Sequence, residues 1–112
     1  FHANTLDYKH SQKFLGESIK RKIVIRTLNS VINEYAQDKM IDLIDIDCEG
    51  KDLEVLQGLD FNKNKINLIS IEMHAYDENT KKKGELIFDI MEKNKFKKIY
   101  GDFPATLIFK KF

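Results

Sequence analysis

The residues able to do chemistry gather at two places. Asp47 and Glu49 close one apolar run in the order Asp-Cys-Glu-Gly, and Glu72 and His74 close a second in the order Ile-Glu-Met-His. An Asp-x-Glu pair at a strand end places both carboxylates on one side if the chain stays extended through Cys48. Such a pair could bind a hard cation, hold a hydroxyl, or act as a base, because repulsion between neighbouring carboxylates raises one pKa. The structural alternative is that acids ahead of a helix simply favour its N-terminus. Glu72 and His74 pose the same choice, since a lone histidine near a strand end is often only hydrogen-bonded. Convergence with Asp47 strengthens the chemical reading. Cys48 lies beside the acids without a basic neighbour in sequence, so it reads as a small packing residue rather than a nucleophile. His2 and His10 stand apart from both clusters.

The elements that must position these groups follow from the apolar pattern. Ile41, Leu43, Ile44 and Ile46 form a β-branched run expected to be a buried strand, delivering Asp47 to its C-terminal end. Gly50 can turn the chain, Leu53, Leu56 and Leu59 recur at helical spacing, and Gly58 marks a helix stop. Residues 66–73 form the second apolar strand. Two such strands joined through a helix make a parallel, right-handed unit, and ligands of open α/β sheets bind beyond the carboxyl ends of the strands. Asp47, Glu49, Glu72 and His74 would then share one crevice. Asp45 interrupts the first run, so either its face is solvated or a basic residue meets it.

Around this centre, residues 1–20 read as an irregular opening segment with a short helix near 11–15, and residues 22–26 (Lys-Ile-Val-Ile-Arg) as a short strand. Thr27 can cap a helix carrying Leu28, Val31, Ile32 and Tyr35 on one face and ending near Asp38. Residues 60–65 form a polar turn. Residues 78–93 form a third helix with Leu86, Ile87, Ile90 and Met91 on its apolar stripe, weakened locally by Gly84 by ~1 kcal/mol. Residues 96–100 and 105–109 are two strands around a Gly-Asp-Phe-Pro loop suited to a hairpin.

Composition narrows the partners. The 112 residues form one domain or part of one, and 19 Lys plus Arg against 18 Asp plus Glu leave a formal charge of +1, so no bulk field selects nucleic acid or an anionic membrane. The basic stretch 93–98 reads as a solvated face. Cys48 is the single cysteine, which excludes an internal disulfide framework, argues against a cysteine-based zinc site and is compatible with a reducing cytoplasm. No apolar run approaches the ~18 residues of a membrane span. A start at Phe1 rather than Met leads us to expect a piece of a longer protein.

The segment Ile-Asp-Leu-Ile-Asp-Ile-Asp-Cys-Glu-Gly-Lys-Asp-Leu-Glu-Val-Leu-Gln-Gly resembles the signature of the FkbM-type S-adenosylmethionine-dependent methyltransferases, in which a strand ending Ile-Asp-x-Glu-Gly runs into a helix. Here these are Ile46, Asp47, Glu49 and Gly50, then Glu54, Leu56 and Gly58. Residues 68–74 resemble the next strand of that family, ending at Glu72; residues 106–109 resemble its closing strand, and residues 24–32 the approach to the signature. The likeness spans about residues 23–110. Asp45, Cys48 and Asn29 depart from the family's common Lys, Val and Asp. None of the five glycines, Gly16, Gly50, Gly58, Gly84 and Gly101, forms the Gly-rich turn that cradles such a cofactor.

The resemblance implies a partial Rossmann-like methyltransferase fold over residues 1–112, the C-terminal part of the family's domain: α/β, a mixed sheet with central parallel strands, flanking helices and a C-terminal antiparallel hairpin. It implies S-adenosylmethionine as cofactor, with its site incomplete in this chain, and O-methyl transfer to a hydroxyl of a sugar or polyketide-type small molecule. Asp47 is then expected to orient cofactor or acceptor, Glu49 and Glu72 to shape the polar crevice, and His74 to be the candidate general base. Two other readings stand beside it. One is a non-catalytic domain that associates through an uncovered sheet edge, with a second copy or with a missing N-terminal half. The other is a metal-dependent hydrolase with Asp47, Glu49, Glu72 and His74 as ligands.

Overall fold

The computed structural model describes residues 22–112. The expectations for residues 1–20, the short helix near 11–15 and the two histidines His2 and His10 among them, lie outside the described residues. The chain runs α1 (Leu28–Tyr35), β1 (Met40–Ile46), α2 (Asp52–Gln57), β2 (Lys65–Glu72), α3 (Glu78–Lys93), β3 (Phe96–Tyr100) and β4 (Thr106–Lys111). The four strands make one mixed sheet in the order β1-β2-β4-β3. β1 and β2 are parallel and in step from Met40 beside Lys65 to Ile46 beside Ile71. β4 then pairs antiparallel with both β2 and β3. This is a mixed α/β architecture with flanking helices, as the apolar pattern leads one to expect.

Local signals account for the helix bounds. Thr27 caps α1 by accepting the Ser30 amide on its hydroxyl at 3.1 Å, and Arg26 leans over the first turns to reach Glu34 at 2.6 Å. Asp77 caps α3 through a reciprocal box: its carboxylate accepts from the Thr80 amide at 2.9 Å, while its own amide donates to the Thr80 hydroxyl at 3.0 Å. Gly58 ends α2 and passes its carbonyl to the Asn29 amide at 2.9 Å, docking α1 onto that end.

The core lies between sheet and helices. Ile69 and Ile71 of β2 and Leu107 and Phe109 of β4 meet Leu53 and Leu56 of α2 and Ile87 and Met91 of α3. Each side chain of this size buried contributes roughly 1.5–3 kcal/mol. Phe88 of α3 meets Phe109 edge to face at 5.6 Å. Gly84, expected to weaken α3, is buried under the Phe103 ring, which comes to 2.5 Å of where a Cβ would stand. A side chain there would displace the hairpin loop from the helix.

Three expectations are corrected. Residues 22–26 form no strand: among the described residues no strand lies alongside to complete a ladder, and Ile23, Val24 and Ile25 are exposed. β1 is not buried throughout. It is an edge of the described sheet, with Leu43 at 52% exposure, and Asp45 sits on its solvated face with no basic residue needed to meet it. Leu86, assigned to the apolar stripe of α3, points outward at 48% exposure; the stripe is carried by Ile87, Met91 and Gly84. No helix of the described residues is long and apolar enough to cross a membrane.

Candidate active site

The parallel register of β1 and β2 brings both acidic tips to the same rim of the sheet. Asp47 follows directly on β1, and Glu72 is the last residue of β2. Glu49 reaches the same place by a different route from the one expected. The chain turns just beyond Cys48: Glu49 takes a left-handed conformation at φ +47° and Gly50 another at φ +98°. The turn, rather than strand alternation, brings the acids together. One carboxylate oxygen from each of Asp47, Glu49 and Glu72 lies within 4.8 Å of the others, a set that a divalent cation or a proton could share.

Electrostatics follow from this crowding. The Glu72 carboxyl is hydrogen-bonded to Asp47, partly desolvated, and faced by the negative charges of Asp47, Glu49 and Asp52; its pKa is pushed up to about 7. Two carboxylates can share a hydrogen bond only if one keeps its proton, and Glu72 is the group whose surroundings favour keeping it. A carboxyl poised near neutrality can both hold and accept a proton at working pH. Tyr76 stands close enough that desolvation and the charges of Glu72 and Glu49 raise its phenol.

His74 does not join the carboxylate trio. Its ring stacks on Tyr76 at 4.9 Å and lines a pocket with Glu72, Gly50, Asp52, Thr80 and Lys83. It therefore adjoins the acids from the α3 side. Cys48 is exposed rather than packed, and partial desolvation with the charges of Asp52 and Asp47 raises its thiol, so it is held as the unreactive protonated form.

Asp52 and Lys83 belong to the site although nothing in the spacing of the apolar residues singles them out. Asp52 is 4% exposed and accepts the Cys48 amide at 2.9 Å and the Gly50 amide at 3.3 Å. Burial raises its pKa, against those two hydrogen bonds and the nearby His74. Lys83 crosses from α3 to donate to the Gly50 carbonyl at 3.0 Å and to Glu54 at 2.9 Å, and this bond helps lower the Glu54 pKa against its own desolvation. The available signal was a second acid three residues after Glu49, at the start of a helix.

With this rim in view, the chain matches the family model described as Methyltransferase FkbM domain over residues 2–98. The chain belongs to the FkbM methyltransferase family. No curated protein and no solved structure matches it. The FkbM match includes α1 through α3, ends within β3 at residue 98, and so contains every acid of the rim. At the level of the family it supports a methyltransferase rather than a hydrolase.

Proposed function

We propose that this FkbM domain serves S-adenosylmethionine-dependent O-methyl transfer to a hydroxyl of a small molecule, a sugar or polyketide-type alcohol, within a Rossmann-like methyltransferase fold. The observation that carries the reading is the convergence of Asp47, Glu49 and Glu72 beyond the carboxyl ends of two parallel strands, in a chain of this family. S-adenosylmethionine, when bound, supplies an electrophilic methyl group on a positively charged sulfur.

The donor chemistry of the rim fits that cofactor, because carboxylate oxygens accept hydroxyl donors and favour a nearby positive charge. Asp47, exposed at the tip of β1, is the residue to hold its hydroxyls or orient the acceptor. Gly50 does not cradle it: a Cβ built there meets nothing within 4 Å, so this glycine serves the turn.

With that cofactor bound, an acceptor hydroxyl would, as it took the methyl, have to give up its proton to a group of this chain. The Asp47–Glu72 pair is suited to take it in its ionised state, with Glu49 keeping the crevice polar. His74, two residues beyond Glu72 and lining the same pocket, is the alternative base. Holding the acceptor oxygen in line matters at least as much as basicity. The single free cysteine fits a cytoplasmic setting.

The test is production of S-adenosylhomocysteine by the full-length protein from S-adenosylmethionine and a panel of sugars and hydroxylated polyketides. Acceptor-dependent turnover is expected, falling about 100-fold or more in Glu72→Gln. Unchanged turnover in Asp47→Asn and Glu49→Gln would overturn the assignment. A second reading, association rather than catalysis, is favoured by the β1 edge, which no strand covers among the described residues and where Met40 and Leu43 are 61% and 52% exposed. Its test is light scattering, and a strict monomer counts against it.

A further inference from the structure

We infer that Asp52 and Lys83 are positioning residues that clamp the 48–50 turn from both sides and thereby hold Asp47 and Glu49 against Glu72. The inference rests on the carboxylate rim proposed above. The turn closes its own bond from the Lys51 amide to the Cys48 carbonyl at 3.2 Å and Gly50 takes its left-handed φ freely, but Glu49 has a side chain to accommodate at φ +47° and makes the turn costly there. Something must fix it. The Asp52 carboxylate takes the two amides, Cys48 and Gly50, that point inward, and the Lys83 ammonium takes the Gly50 carbonyl that points outward to α3.

The two clamps come from elements far apart in sequence. Asp52 opens α2 and Lys83 lies 33 residues beyond Gly50 on α3, so the turn is tied to the packing of both helices and not only to β1. Burial of Asp52 at 4% exposure keeps water from substituting for it. Neither residue is in the carboxylate trio. Their effect on chemistry passes through where Asp47 and Glu49 stand.

Charge and position predict opposite outcomes for one substitution, which makes the inference testable. Glu72 is faced by Asp47 and Glu49 from the turn and by Asp52 from α2, with Tyr76 following on its own segment and Lys83 across the pocket on α3. If Lys83 acted only as a charge, Lys83→Met would raise the Glu72 titration midpoint. If Lys83 holds the turn, the same substitution frees Gly50, lets Asp47 move off, and lowers that midpoint.

The experiment is a carboxyl-carbon NMR titration of Glu72 in the whole chain, with amide hydrogen exchange at Cys48 and Gly50. Lys83→Met is expected to lower the midpoint by about one pH unit, and Lys83→Arg, which keeps a donor, to restore most of it. Asp52→Asn is expected to speed exchange at Cys48 and Gly50 about tenfold or more while core amides such as Ile69 stay protected, which also shows that the variant is folded. An unchanged or raised midpoint in Lys83→Met, or unchanged exchange in Asp52→Asn, overturns the clamp. A wild-type Glu72 that titrates near 4.5, uncoupled from Asp47, would instead overturn the rim itself.

Discussion

Replacing Glu72 by glutamine should make the protein more stable in mild alkali while removing its activity. The folded state holds the Glu72 carboxyl at about 7 against an ordinary value of 4.5. Between those two values the folded chain binds more protons than the unfolded chain, so unfolding stability declines as pH rises across that window. Below about 4.5 both states are protonated and the carboxyl contributes no penalty; above about 7 the folded state must carry an extra charge beside Asp47, and the penalty is complete. At about 1.4 kcal/mol per pH unit the whole interval would correspond to about 3 kcal/mol. Glu72 is only half-buried, and solvent screening lowers the expected value to about 1–2 kcal/mol. Glutamine copies the neutral form, so the variant should lose the decline between pH 5 and 7.5 and exceed the wild type by about 1–2 kcal/mol at pH 8. Urea unfolding at pH 4.5, 6 and 8 measures this. Parallel pH dependences for the two proteins, or a variant less stable at pH 8, would refute the shared proton.

Three further outcomes are expected. Gly101→Ala should cost about 3 kcal/mol in unfolding free energy, because Gly101 sits at φ +88° and a Cβ there would come to 2.3 Å of the Thr106 carbonyl oxygen, which is backbone and cannot swing away; a loss below about 1 kcal/mol would contradict the hairpin geometry. Leu56→Ala should lose about 2–5 kcal/mol, since Leu56 is fully buried, whereas the same change at Leu86 should lie within about 0.5 kcal/mol; a reversed order by thermal melts would mean that α3 is rotated. S-adenosylmethionine is expected to bind residues 1–112 with undetectable or very weak heat by calorimetry, given the lack of a Gly-rich turn in this sequence, and micromolar affinity would show that the cofactor rests on the acidic rim alone.

What could be read from the sequence and what could not divide along a physical line. The parallel pair, the helix between its strands and the terminal hairpin were legible because each is written in apolar period, and periodicity reports which face meets the core. Residues 22–26 have the same β-branched character as β1 yet form no strand, because a ladder needs a partner and composition alone does not supply one. Asp45 and Asp52 show why polar residues are harder. Asp45 lies within an apolar run and Asp52 opens a helix, but the solvated face of β1 leaves Asp45 in water, whereas the left-handed turn at Glu49 and Gly50 aims two amides at Asp52 and makes its burial tolerable. Such a fate depends on backbone geometry that the sequence encodes only through Gly50. The meeting of Asp47 and Glu72 is therefore legible, because parallel strand ends put them side by side, whereas Glu49 joins them through the turn. The groups that hold those carboxylates in register, Asp52 and Lys83, emerge only when a turn and two helices are seen to meet.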